Sequence, residues 1–211
     1  EHRAGGERMS TETPMFPLGS VLLPSMLLPL HVFEDRYRLM IEHVLAGDGT
    51  FGVTMIERGS EVGGHDVRAA VGCTARVLDA EQQPDGRWHL VAVGTERISV
   101  DEWLPDDPFP RAMVSSLPDT ATTVTAWDEL VTSFRSLIEL VERVTGSTDL
   151  APGVPMADDP AMATFEMAAV APIGPLDRYR VLSSTDVDAR RLLLLDAFEH
   201  ATVLVNDAPS N

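Results

Sequence analysis

Six histidines, one cysteine, 33 carboxylates and 16 basic side chains are what this chain has for chemistry, and every basic residue is arginine. The absence of lysine excludes a P-loop phosphate contact, a Schiff base and a Ser-Lys dyad together. His2, His31, His43, His65, His89 and His200 show none of the HxxxH, HxH or HExxH spacings that place two imidazoles on one metal. Cys73 stands alone, so neither an intramolecular disulfide nor a cysteine-based zinc site can form, and a reduced cytoplasm is the expected compartment. Gly59, Gly63 and Gly64 lack the P-loop frame and a following helix, and no GxSxG elbow occurs. Asp106-Asp107 and Asp158-Asp159 are not spaced as a calcium loop and read as solvated loops. The expectation is therefore no catalytic residue, no metal and no cofactor.

Length and charge bound the rest. A chain of 211 residues can bury a proper core as one large domain or two small ones. Its 44% hydrophobic and 23% charged content is that of a soluble globular protein. A formal charge of −17 opposes sequence-independent nucleic-acid binding and an anionic membrane surface, so neither partner is expected. The most apolar region, Met15 to Phe33, is interrupted by Pro17, Pro24 and Pro29 and falls short of the roughly 18–20 apolar residues of a membrane helix. Residues 1–13 read as a polar, flexible leader, with Met9 a candidate natural start.

The elements that must position any site change character along the chain. Pro14–Leu18 and Val21–Pro24 read as short extended pieces with prolines at their ends. Phe33, Tyr37, Met40, Ile41, Val44 and Leu45 share a helical face that Gly47 ends. Phe51–Glu57 reads as a strand. Val71–Glu81 and Arg87–Val93 alternate around Pro84-Asp85-Gly86, a hairpin signal, and Arg97–Trp103 and Arg111–Leu117 continue the meander. Beyond Pro118 the period is helical: Trp127 to Val144 up to Gly146, a helix opened by Asp159-Pro160, a short one after Gly174-Pro175, and a last one started by a Thr185/Asp188 capping box. The predicted domains are a β-rich lobe over 14–118 and a helical lobe over 119–206, with a tail at 207–211. The fold class is α+β.

Several dense stretches then occur in a telling order. Phe16-Pro17-Leu18 and Leu23-Pro24 are followed by Pro29-Leu30-His31-Val32-Phe33-Glu34-Asp35-Arg36-Tyr37-Arg38. Phe51-Gly52-Val53, Val71-Gly72-Cys73-Thr74-Ala75, Pro84-Asp85-Gly86-Arg87 and Val93-Gly94-Thr95-Glu96-Arg97-Ile98 complete the series. Together they resemble the substrate-binding domain at the N-terminus of Lon ATP-dependent proteases, over residues 15 to 117. The helical remainder fits that family's C-terminal bundle by pattern alone. The resemblance implies a PUA-like β pseudo-barrel with one helix, a helical second lobe, and recognition of polypeptides without catalysis. It suggests a stand-alone member, since neither the ATPase nor the peptidase module is present in this sequence.

Within that signature Pro17, Pro29, Phe33, Glu34, Arg36, Tyr37, Gly72, Gly86, Gly94 and Arg97 read as structural. Phe33 and Tyr37 are expected to pack the first helix on the barrel. Glu34 and Arg97 each lie in an apolar stretch, where an unpaired charge is costly, so a mutual ion pair is expected. Trp88, Trp103 and Trp127 are expected in a core or between lobes. The expected partners are unfolded or apolar polypeptide segments; the alternatives are an adaptor for one folded partner such as a protease or chaperone component, or a hydrolase with a triad assembled from distant residues. The sequence names neither the binding residues nor the oligomeric state.

Overall fold

The computed structural model describes residues 9–58, 67–146 and 156–207. The chain divides into two compact units, Glu1–Pro118 and Asp119–Asn211. The first holds strands β1 (Thr11–Leu18), β2 (Leu27–Val32), β3 (Thr50–Arg58), β4 (Val67–Gln82), β5 (Trp88–Trp103) and β6 (Arg111–Ser116), with helix α1 (Asp35–Ala46) after β2. The second holds α2 (Trp127–Thr145), α3 (Pro160–Val170), α4 (Pro175–Ser183) and α5 (Val187–Asp207).

The sheet runs β2-β5-β4-β3-β1-β6, and β6 also pairs with β5, so the last five strands close on themselves. Closure depends on the length of β5. On one side it pairs with β4 from Trp88 to Ser99; on the other its first half pairs with β2, from Trp88↔Val32 to Val93↔Leu27, and its second half with β6, from Ile98↔Ser116 to Trp103↔Ala112. Two separate strands were expected here; one 16-residue strand forms, because Gly94 lets it pass a close neighbour without breaking. A Cβ at Gly94 would run into the Leu23 carbonyl, and the Gly94 N–H donates to the Met26 carbonyl at 2.9 Å. Inside the ring Met15, Ile98, Ala112 and Val114 form a buried cluster with Val100 and Trp103 against it.

Other expectations need correcting. Thr11 and Thr13 belong to the sheet, opposite Val114 and Ala112, so the leader does not reach Thr13; β6 needs that partner to close the ring. Val21–Pro24 is not a strand. The strand is Leu27–Val32, and it takes Pro29 in its interior because it is an edge strand, where a missing N–H breaks no ladder. The β4–β5 hairpin turns as predicted: the Gly86 N–H donates to the Gln83 carbonyl at 2.8 Å, with Gly86 at φ +82°. The glycine-rich 59–64 loop and most of the 147–159 linker lie outside the described residues.

In the second unit α2 buries Leu130, Phe134, Leu137, Ile138 and Val141 and ends on Gly146 at φ +68°. Asp159 caps α3 by accepting from the Ala161 N–H at 3.1 Å. The Thr185/Asp188 capping box does not form. Asp186 accepts from the Ala189 N–H instead, because Asp188 is held by the Thr125 N–H and hydroxyl and by Arg191, at 2.8 to 2.9 Å. Those bonds, the Arg191 one first, lower the Asp188 carboxyl to about 2.

Candidate functional site

Strand β2 alternates cleanly. Leu28 and Val32 are buried and Leu30 nearly so, whereas Leu27, Pro29 and His31 are exposed. Register with β5 and β4 carries that exposed face across three strands in rows: His31–His89–Glu81, then Pro29–Val91–Asp79. A groove of about 370 Å³ lies on this face, lined by Pro29, Leu30, His31, Asp79, Glu81, His89, Leu90 and Val91. A smaller hollow of about 100 Å³, bounded by Phe16, Leu18, Leu30, His31, Val32, Phe33, Glu34 and Tyr37, adjoins it through Leu30 and His31.

Rings line the junction. His89 meets His31 edge-on with centroids 4.6 Å apart, and Phe33 continues the row at 6.1 Å from His31. Phe33 is 51% exposed and Leu27 58%, which are large values for such side chains. A bulge in β4 between Val77 and Asp79 adds Leu78, 50% exposed, beside the same face. The surface is apolar, corrugated and edged by two carboxylates, which suits an extended chain better than a folding core.

The signature residues divide between frame and surface. Tyr37 is buried and stacks on Phe16 at 4.3 Å, anchoring α1 to β1. Phe33 was expected beside it but faces out, because it precedes α1 and so escapes the helical face. Glu34 does not pair with Arg97. It pairs with Arg36 at 3.2 Å, whose guanidinium lies 4.5 Å from the Tyr37 ring centroid; a partner two residues away closes with far less loop entropy than one across the barrel. Arg97 is buried in β5 opposite Cys73, its carbonyl accepting from the Leu117 N–H at 2.9 Å. Gly72 sits opposite Ile98 in the ladder, and Pro17 is buried in β1 opposite Thr54. All three tryptophans are half-buried.

His31, His89, Asp79 and Glu81 were not singled out by sequence reasoning as site residues. Strand β2 was not among the expected strands, the β4 bulge between Val77 and Asp79 reverses the phase that plain alternation gives Asp79 and Glu81, and the β2–β5 pairing that unites the four was not legible. Burial pushes the Cys73 thiol up to about 12, with the Thr95 amide and the Arg97 charge opposing the rise, so it is no nucleophile at neutral pH. Among the described residues no group of three or more His, Cys, Asp or Glu is placed to hold a metal ion.

Comparison with known proteins places this geometry. The sequence pattern of the ATP-dependent protease La (LON) substrate-binding domain matches residues 12–199. The chain belongs to that family. It is 22% identical to the Lon protease of Desulfosudis oleivorans over 90% of this chain and 26% identical to Lon protease 2 of Herpetosiphon aurantiacus over 89%. It spans only 24% and 22% of those two proteins. Its structure resembles the Lon N-terminal domain protein of Xanthomonas campestris, with a TM-score of 0.65 and 29% identity over 88% of this chain and 98% of that one. The N-terminal domain of the Mycobacterium avium complex Lon protease shares the fold, at TM-score 0.65 and 17% identity over 90% of this chain and 98% of that one. The match is thus to the substrate-binding region of Lon and not to its peptidase domain. The α+β fold expected from the change of period after Pro118 is the one formed. Among the described residues no helix is long and apolar enough to cross a membrane.

Proposed function

We propose that this Lon substrate-binding domain is a non-catalytic module that captures exposed apolar polypeptide segments in the groove beside β2. The observation that carries the reading is the pair of half-exposed side chains at the two ends of the edge strand, Leu27 within it and Phe33 just after it, with Pro29 and Leu30 of that strand walling the groove. Fully burying such a side chain is worth about 1.5–3 kcal/mol, so covering the exposed half of each contributes roughly 0.7–1.5 kcal/mol, enough to make capture measurable. The test is fluorescence anisotropy of a labelled, permanently unfolded model protein. Phe33→Ser should weaken binding roughly tenfold, since 1.4 kcal/mol is a factor of ten, and leave Tm unchanged because the ring is not in the core. Absence of binding, or binding indifferent to both Phe33→Ser and Leu27→Ser, overturns the reading. Neither ATP hydrolysis nor peptide cleavage is expected of the purified chain, which has no lysine and no P-loop frame. Turnover abolished by a point substitution in this chain would reverse that.

A further inference from the structure

Charge distinguishes the β2 groove from a plain apolar cleft. Around it acidic side chains are neutralised by arginines: Asp35 by Arg38, Asp85 by Arg87, and Glu34 by Arg36. Asp79 and Glu81 line the groove, are exposed, and have neither an ion pair nor a hydrogen-bond partner among the described residues. They stand on one strand at i and i+2, roughly 7 Å apart. Each ends a row: Glu81 follows His31 and His89, and Asp79 follows Pro29 and Val91. Of the basic residues nearby, Arg87, one row beyond His89, is paired to Asp85, and Arg76 lies beside Val93 and Leu27; neither is part of the groove lining.

We propose that the groove selects polypeptide segments carrying arginine among apolar residues, with the guanidinium over the His31 and His89 rings and paired to Glu81 or Asp79. This rests on the polypeptide-recognition reading above and names its substrate class. A guanidinium is planar, weakly hydrated and forked, so it can lie on ring faces while its N–H groups reach a carboxylate. Apolar neighbours in an extended segment alternate at the same period as the rows, which brings them over Pro29, Val91 and Phe33. Lysine, a compact and strongly hydrated point charge, satisfies the carboxylates without using the rings. Acidic segments meet two uncompensated carboxylates and are rejected.

The experiment measures anisotropy of short labelled peptides with identical apolar residues and Arg, Lys, Gln or Glu at the same positions, against the full chain. Arg should bind roughly fivefold tighter than Gln, with Lys between and Glu weakest, as expected of a half-exposed ion pair worth up to about 1 kcal/mol. Asp79→Asn combined with Glu81→Gln should erase the Arg advantage and leave the Gln peptide unchanged. His31→Ala should reduce Arg binding towards that of Lys. Both carboxylates are outside the core, and should the double variant not fold by circular dichroism, Glu81→Gln alone supplies the comparison. Equal binding of Arg and Gln peptides by the native chain overturns this inference and leaves apolar capture standing. An Arg preference that survives the carboxylate substitutions also overturns it, since the attraction is then the field of the whole chain. No binding of any peptide or of the unfolded protein overturns both.

Discussion

Arg190 is the largest fully buried side chain of the molecule's described residues, and its chemistry is structural. Its guanidinium donates to both Asp119 oxygens at 2.8 Å and lies 4.2 Å from the Phe165 ring centroid. A buried ion pair was expected between Glu34 and Arg97; Asp119 and Arg190, within the helical unit, form one. Because Arg190 is wholly buried and Asp119 nearly so, Asp119→Ala should destabilise that unit by roughly 3–5 kcal/mol, leaving a stranded charge. Asp119→Leu with Arg190→Met should lose less than the two single changes combined, read by urea unfolding of all three variants. Additive losses would show that the pair does not act as a unit. Cys73 yields a pH prediction of definite sign. Its thiol is raised from 9.0 to about 12 when folded, so above pH 9 the unfolded chain sheds a proton the native chain keeps. The contribution is present below pH 9 and lost as pH rises towards 12. Urea midpoints should therefore fall across that range, and fall less steeply in Cys73→Ala; an unchanged slope would contradict the assignment.

At the scale of elements, the groove depends on how β2 is held rather than on its own sequence. The turn before it puts Ser25 at φ +65°, and the Ser25 N–H donates to the Gly94 carbonyl at 2.9 Å. Gly94 returns the bond to Met26, and the Leu23 carbonyl presses where a Cβ would be. Gly94→Ala must displace that backbone, because the obstructing atom is not the end of a flexible side chain. The substitution should lower stability by about 1–3 kcal/mol, the usual penalty for overpacking. It should also weaken unfolded-protein capture more than Phe33→Ser does, because it shifts the whole strand. Amide hydrogen exchange should show faster exchange in Leu27–Val32 than in β3 or β4; protection unchanged throughout β2 would mean that the strand is held by other contacts.

At the scale of the molecule, two forces of different range act on a client. Apolar burial contributes about 25 cal/mol per Å² and is not screened by ions, whereas attraction between exposed charges fades within about 3 Å at 1 M salt. With a formal charge of −17, the chain repels acidic partners at long range. Raising salt to about 1 M should preserve or tighten binding of the neutral Gln peptide while removing the additional affinity of the Arg peptide. An anisotropy series over salt separates the two. Collapse of the Gln peptide's affinity with salt would show that capture is electrostatic, and an adaptor for one basic folded partner would then explain the chain better.

Much of this was legible in residue order because it depends on short-range physics. Helix faces such as Tyr37, Met40, Ile41 and Val44, the Gly86 turn, the Gly146 stop and the Asp159 cap each follow from period, φ preference or a single side-chain hydrogen bond. The family was legible too, since its motifs recur in order along one chain. The local signals failed where a distant partner outbid a near one: Asp188 left its capping role for Thr125, and Thr11 to Thr13 joined β6. Arg190 shares a helical face with Val187, Leu194 and Phe198, so its burial was readable, but Asp119 as its partner was not. The candidate site belongs wholly to that second class. His31 and Glu81 lie far apart in the chain, and only strand register through β5 sets their side chains on one face, because register is decided by closure of the sheet and not by either strand alone.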